Sequence, residues 1–208
     1  MNMKMGKRFI TIEGIDGCGK STQAGILSEW LSHEFGKNNV VKTYEPGGSG
    51  NEIRNLLLNS SMSERSELFL FLADRIEHVQ NVILPSIKEN KWVICERYID
   101  STIVYQSFGR GIPVCEIERL FSWCEFPIPE LTIFLDVPVD VAISRVNSRG
   151  NKDRIESAGI DFIQKLHSAY KRLSHCRKRI VRVDASLDEK RVADCIRNIL
   201  EERFELKS

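Results

Sequence analysis

The segment Gly14-Ile15-Asp16-Gly17-Cys18-Gly19-Lys20-Ser21 matches the pattern G-x-x-x-x-G-K-[ST]. Phosphate chemistry explains each fixed position. Glycines let the backbone curl until successive N–H groups point inward at phosphate oxygens. Lys20 supplies a point charge for the β- and γ-phosphates, and Ser21 offers a hydroxyl to Mg²⁺. The helix that opens with Ser21 and Thr22 turns its positive end toward the same anion. The expected phosphate contacts therefore run from Gly14 to Thr22. The pattern implies binding of a nucleoside triphosphate and no more, because switch GTPases, ATPase motors and metabolite kinases all carry it.

Other side chains narrow the choice. At 208 residues the chain is short for a motor. A guanine-reading N-K-x-D motif is missing, since Asn90-Lys91-Trp92-Val93 and Asn151-Lys152-Asp153-Arg154 both lack the final aspartate. A kinase needs a second substrate site and extra positive charge around the transferring phosphoryl group. Glu96-Arg97-Tyr98 supplies an acid and an arginine at a strand end. Arg75 follows Phe71 by one helical turn, so the two share a face. Arg149, Lys152 and Arg154 flank Gly150 in a polar stretch suited to a basic lid. Taken singly, Arg75 also reads as a surface charge, Phe71 as a core ring and the 149–154 stretch as a solvated loop; only Arg97 stands out alone.

These residues need a scaffold, and the apolar pattern predicts one. Short strands are expected at Phe9–Ile12, Val40–Tyr44, Trp92–Cys95, Leu131–Leu135 and Ile180–Val183. Helices are expected at Ser21–His33, Val139–Ser148, Asp161–Ser174 and Asp188–Arg203. A long helix is expected over Ser66–Lys88, bent before Pro85. Strands alternating with helices imply parallel strands joined by crossovers, with helices on both faces. Ligands on such a sheet gather at the carboxyl ends of its strands, where the polar motifs after Ile12, Tyr44, Cys95 and Leu135 fall.

The length suits one domain with a full core. A formal net charge of +1 gives no reason to expect a nucleic-acid partner. No apolar run is long enough for a membrane span, and the opening MNMKMGKRF lacks the features of a signal peptide, so a cytoplasmic protein is expected. Cys18, Cys95, Cys115, Cys124, Cys176 and Cys195 lack C-x-x-C spacing. They are expected to be reduced and mostly buried, with Cys18 set apart as reactive by its place in the loop. His33, His78, His167 and His175 read as surface or packing residues.

Together the motifs resemble the bacterial thymidylate kinase family, among the nucleoside monophosphate kinases. The matching stretches are FITIEGIDGCGKSTQ (9–23), EPGGS (45–49), ELFLFLADRIEHV (67–79), KWVICERYIDSTIVYQSFGRG (91–111), LTIFLDV (131–137) and SRGNKDRIE (148–156). The resemblance implies a three-layer α/β/α P-loop fold with a five-stranded parallel sheet in the order 2-3-1-4-5. It implies one domain over residues 1–208, with a lid at about 149–158. It implies transfer of the γ-phosphoryl group of ATP to dTMP with Mg²⁺, giving dTDP and ADP, by a homodimer packed through the long helices. Another P-loop nucleotide or deoxynucleoside kinase, or a non-kinase nucleotide switch, is the alternative.

Site roles follow from the same resemblance. Phe71 matches the ring stacked on thymine and Arg75 the donor to a thymine carbonyl. Thr102 and Gln106 match the base-pocket lining, Tyr105 the residue beneath the sugar, and Asp16 the acid near the 3′-hydroxyl. Arg54 and Arg97 match the monophosphate arginines, and Glu45 and Pro46 the loop closing over them. Ser21 and Glu96 are the expected Mg²⁺ residues. The phosphate loop has no arginine among its variable positions, so Lys20, Arg97 and the lid residues Arg149 and Arg154 are the expected catalytic cations. Three positions depart from the family pattern: Tyr44 stands for arginine, Ser49 for threonine and Glu96 for aspartate.

Overall fold

The computed structural model describes residues 8–48, 50–148, 150 and 159–206. Five strands, β1 (Phe9–Glu13), β2 (Val40–Tyr44), β3 (Trp92–Glu96), β4 (Leu131–Asp136) and β5 (Ile180–Asp184), form one sheet in the order β2-β3-β1-β4-β5. Every neighbouring pair is parallel. The expected order therefore holds, with β1 in the centre.

Burial along the strands follows from this order. The three inner strands β1, β3 and β4 are covered on both faces and are buried almost throughout. The edge strands β2 and β5 keep exposed positions. Two threonines sit in the middle of the sheet, and their hydroxyls satisfy each other: Thr11 and Thr132 are 2.7 Å apart.

Helices flank the sheet. α1 (Lys20–Phe35) leaves the phosphate loop directly, and the chain then crosses to β2. α2 (Glu52–Asn59) and α3 (Glu64–His78) follow. α3 runs through a π-helical stretch (Val79–Ile83) into α4 (Leu84–Lys88). The expected bend before Pro85 takes that form, a widened turn where proline cannot donate a backbone hydrogen bond. After β3 come α5 (Ile99–Thr102), a second π-helical stretch (Ile103–Gly109) and α6 (Val114–Trp123). α7 (Val139–Ser148), α8 (Ile160–Cys176) and α9 (Glu189–Arg203) complete the order.

The helices at 52–59, 99–109 and 114–123 are additional to those expected from the apolar pattern. α2 spans barely two turns, too short for a clear period. The 103–109 stretch is π-helical, so its side chains do not repeat every 3.6 residues.

No helix of the described residues is long and apolar enough to cross a membrane. All six cysteines are free thiols, but only Cys18 and Cys95 are buried, against the expectation of a mostly buried set. The exposed ones lie on helix surfaces, where a small side chain is tolerated without being packed.

Candidate active site

The phosphate loop joins the carboxyl end of β1 to the start of α1. Gly17 adopts φ 84°, and a Cβ there would lie 2.2 Å from the Ala142 carbonyl oxygen on α7. Glycine thus serves both the left-handed turn and the close approach of two backbones. Arg145, also on α7, donates to the carbonyls of Gly17 and Ala185 at 3.4 Å each. Lys20 is buried, with Nζ donating to the Gly14 and Ile15 carbonyls at 3.1 and 3.0 Å and lying 3.6 Å from Asp16. Cys18 is buried, which disfavours the thiolate that a reactive cysteine needs. Burial raises its pKa more than the charges of Lys20 and Arg97 lower it.

Arg97 follows β3 with a left-handed backbone, φ 63°, a conformation that non-glycine residues adopt at some cost and mostly at functional positions. Its guanidinium pairs with Asp16 of the phosphate loop and donates to Ser101 Oγ at 3.3 Å and Tyr105 Oη at 3.4 Å. Tyr105 in turn donates to Asp16 Oδ2 at 3.3 Å. Burial would raise the Asp16 pKa, but the Arg97 and Lys20 charges outweigh it and hold the carboxyl down at about 2.

Glu13 lies beneath this cluster, fully buried. It accepts from the backbone N–H of Tyr98 at 2.7 Å and of Ser101 at 3.3 Å. It also accepts from Ser101 Oγ at 2.6 Å and Tyr170 Oη at 3.0 Å. The chain immediately after Arg97 is thereby clamped in its turn. Burial, aided by the Asp100 charge, pushes the Glu13 pKa up to about 7.

Ser21 Oγ donates to Glu96 Oε2 at 2.8 Å. A hydroxyl and a carboxylate side by side at the mouth of the phosphate loop are hard oxygen donors of the kind Mg²⁺ takes. The glutamate at 96 reaches Ser21 in spite of its extra methylene.

The loop after β2 is held by α3. Glu45 is buried between Arg75, whose Nε donates at 2.6 Å, and His78, whose Nδ1 lies 2.9 Å away. The other ring nitrogen of His78 lies 2.7 Å from Thr43 Oγ1. Asp74 accepts from the Gly47 N–H through both oxygens, at 2.9 and 3.1 Å. A Cβ at Gly48 would lie 2.5 Å from the His78 ring, so the loop rests directly on the imidazole. Of the two expected readings, His78 is not a surface residue; it is fully buried against the loop and also hydrogen-bonded at both nitrogens. Arg54 on α2 donates to the Pro46 carbonyl at 2.5 Å and lies over the Tyr44 ring, 5.5 Å from its centroid. Tyr44 thus supports an arginine where the family pattern has one.

Arg75 also donates to Thr102 Oγ1 at 2.9 Å and to the Tyr98 carbonyl at 3.1 Å. It is buried, contrary to the reading of it as a surface charge. Gln106 Nε2 donates to Glu67 at 3.1 Å. Ten expected acceptor residues (Asp16, Glu45, Pro46, Arg54, Phe71, Arg75, Arg97, Thr102, Tyr105 and Gln106) line one cavity of about 560 Å³, with Ser21 and Glu96 at its edge. That volume suits a small ligand. Arg149, Arg154 and Ser49, with most of the expected lid, lie outside the described residues.

Glu13, Asp74, His78 and Arg145 were not singled out from sequence. Asp74 and His78 were within reach, because they share the helical face of Phe71 and Arg75. Glu13 and Arg145 give no such signal.

A phosphate loop at the centre of a parallel sheet, joined by an arginine to an adjoining cavity, defines a P-loop kinase of small acceptors. The chain belongs to the thymidylate kinase family, whose model matches residues 12–196. It is 41% identical over 196 residues to a thymidylate kinase of Thermosipho melanesiensis, covering 93% of this chain and 97% of that one. It is 42% identical over 168 residues to one from Wolbachia pipientis of Culex pipiens, 80% of each chain. The crystal structure of thymidylate kinase from Ehrlichia chaffeensis superposes with a TM-score of 0.78 at 32% identity, covering 92% of this chain and 97% of that one.

Proposed function

We propose that this chain transfers the γ-phosphoryl group of ATP to dTMP, giving dTDP and ADP. The observation that carries this reading is the Asp16–Arg97–Tyr105 cluster, which joins the phosphate loop to the floor of the cavity. A monophosphate held by Arg97 and Arg54 lies toward Lys20 and the loop N–H groups. An oxygen of that monophosphate attacks the γ-phosphorus, and the bond to the β-phosphate oxygen breaks, leaving ADP. The acceptor oxygen is already anionic, so no general base is needed. Catalysis is alignment and charge stabilisation.

Phe71 stacks on the base and Arg75 donates to its carbonyl, with Thr102 and Gln106 lining the pocket. Tyr105 lies beneath the sugar and Asp16 near its 3′-hydroxyl. Glu45 and Pro46 cover the monophosphate. Ser21 and Glu96 would hold Mg²⁺, which when bound neutralises phosphate charge. Arg149 and Arg154 supply lid cations in a single kinase domain. The working form is a cytoplasmic homodimer joined through α3, where Phe69 is 58% exposed.

A coupled ADP-release assay over a panel of nucleosides and monophosphates tests the activity. Turnover is expected with dTMP above all others. ADP release that is indifferent to acceptor would reject it.

A further inference from the structure

We propose that Glu67 is a positioning residue that fixes the polarity of the Gln106 amide, so that the base end of the cavity accepts a pyrimidine carrying N3–H and rejects one whose N3 is an acceptor. The inference rests on the acceptor reading above and deepens it.

Glu67 and Gln106 are both buried, at 3% and 1% exposure, so neither turns freely toward water. A carboxylate only accepts hydrogen bonds. The group facing Glu67 Oε1 at 3.1 Å must therefore be the amide nitrogen of Gln106. The flipped amide would set two acceptor oxygens against each other without a proton between them. Arg110 Nε, 3.4 Å from the same oxygen, pairs the buried charge and keeps the carboxylate in place. The π-helical stretch Ile103–Gly109 brings Gln106 and Arg110 to this one side chain of α3.

One N–H of the amide goes to Glu67, which turns the carbonyl oxygen, the amide's acceptor, away from the carboxylate, and Gln106 lines the cavity. Arg75, on the same wall, has only donors. A donor beside an acceptor complements a 4-oxo group beside N3–H, as in thymine. Cytosine carries a 4-amino donor beside an N3 acceptor and is mismatched at both positions. Buried polar groups left unpaired by a wrong substrate are the strong source of discrimination.

The test compares kcat/KM for dTMP and dCMP in the parent, Glu67→Gln and Glu67→Ala. An amide at 67 accepts either orientation of Gln106, and alanine enforces neither. Both variants should lower the dTMP-to-dCMP ratio about tenfold, mainly through KM. The dTMP kcat should stay within about threefold, because Arg97 and Lys20 are untouched. If one variant fails to fold, the other carries the comparison. A purely structural role predicts equal losses for both nucleotides, and an unchanged ratio in the folded variants overturns the inference. A parent that does not phosphorylate dTMP at all removes the activity reading and this inference with it.

Discussion

The two halves of the site are built differently. The donor half is a backbone device: eight contiguous residues, Gly14 to Ser21, curl from the end of β1 into the first turn of α1. The acceptor half is a side-chain device. Its wall is held by buried polar contacts spanning long stretches of sequence, such as Arg75 to Glu45 and Thr102, His78 to Glu45 and Thr43, and Glu13 to Tyr98 and Ser101. The difference predicts how each half fails. Damage to the first should remove catalysis and spare the fold, whereas damage to the second should cost both stability and acceptor affinity.

The largest effect is expected at Lys20. Lys20→Ala removes the charge proposed to act on the transferring group, and turnover should fall by about 10³-fold or more. Thermal unfolding should change little beside that. A variant retaining a tenth of parental turnover would contradict the division of labour.

Arg75→Ala should be next and should affect both properties. It removes the buried guanidinium from Glu45 and leaves only His78 beside that carboxylate, and breaking a buried ion pair costs about 3–5 kcal/mol. Denaturant titration should register this, and the KM for dTMP should rise while that for ATP stays near parental. Equal changes in the two KM values would show that the acceptor wall is not a separate unit.

Glu13 and Asp16 should respond to pH in opposite senses. The Glu13 pKa is raised from an ordinary 4.5 to about 7 by burial. Its contribution to stability is therefore full below about pH 4.5 and is lost as pH rises through 7. The Asp16 pKa is lowered from 3.8 to about 2, so its contribution is present above pH 3.8 and lost as pH falls toward 2. Denaturation of the parent and Glu13→Gln at pH 5.5 and 7.5 isolates the first. The variant should lose part of the parental decline, and superimposable pH profiles would contradict the placement of Glu13.

The smallest effect expected is at Tyr105. Tyr105→Phe should keep the preference for the deoxy sugar and Tyr105→Ala should lose it, about a tenfold change in the ratio of dTMP to its ribose counterpart. Equal use of both sugars by the parent would remove Tyr105 from sugar selection.

The same division explains what was legible in the sequence. The phosphate loop was legible because its chemistry is written in adjacent residues. The strand order followed from the family resemblance, and the parallel alternation from apolar runs. Arg75 and Phe71 were visible through helical spacing, but whether they faced solvent or a cavity was not. Burial of Arg75 depends on Glu45, Tyr98 and Thr102, which only the fold brings near. Glu13 directly follows the expected strand Phe9–Ile12 and belongs to no motif, and its importance appears once Tyr98, Ser101 and Tyr170 converge on it. The hydrogen bonds of His78 are invisible in sequence for the same reason, since both its partners lie on or beside β2.

Lys20 has one further consequence. Its ammonium is already served by two carbonyls and a carboxylate of its own loop. An incoming anion has to outcompete those oxygens before it gains the lysine. A polyphosphate that spans the N–H groups and still reaches Nζ offers several oxygens at once. The same loop contacts hold the ammonium in place before any phosphate arrives, so the loop presents its charge without first having to order a flexible side chain.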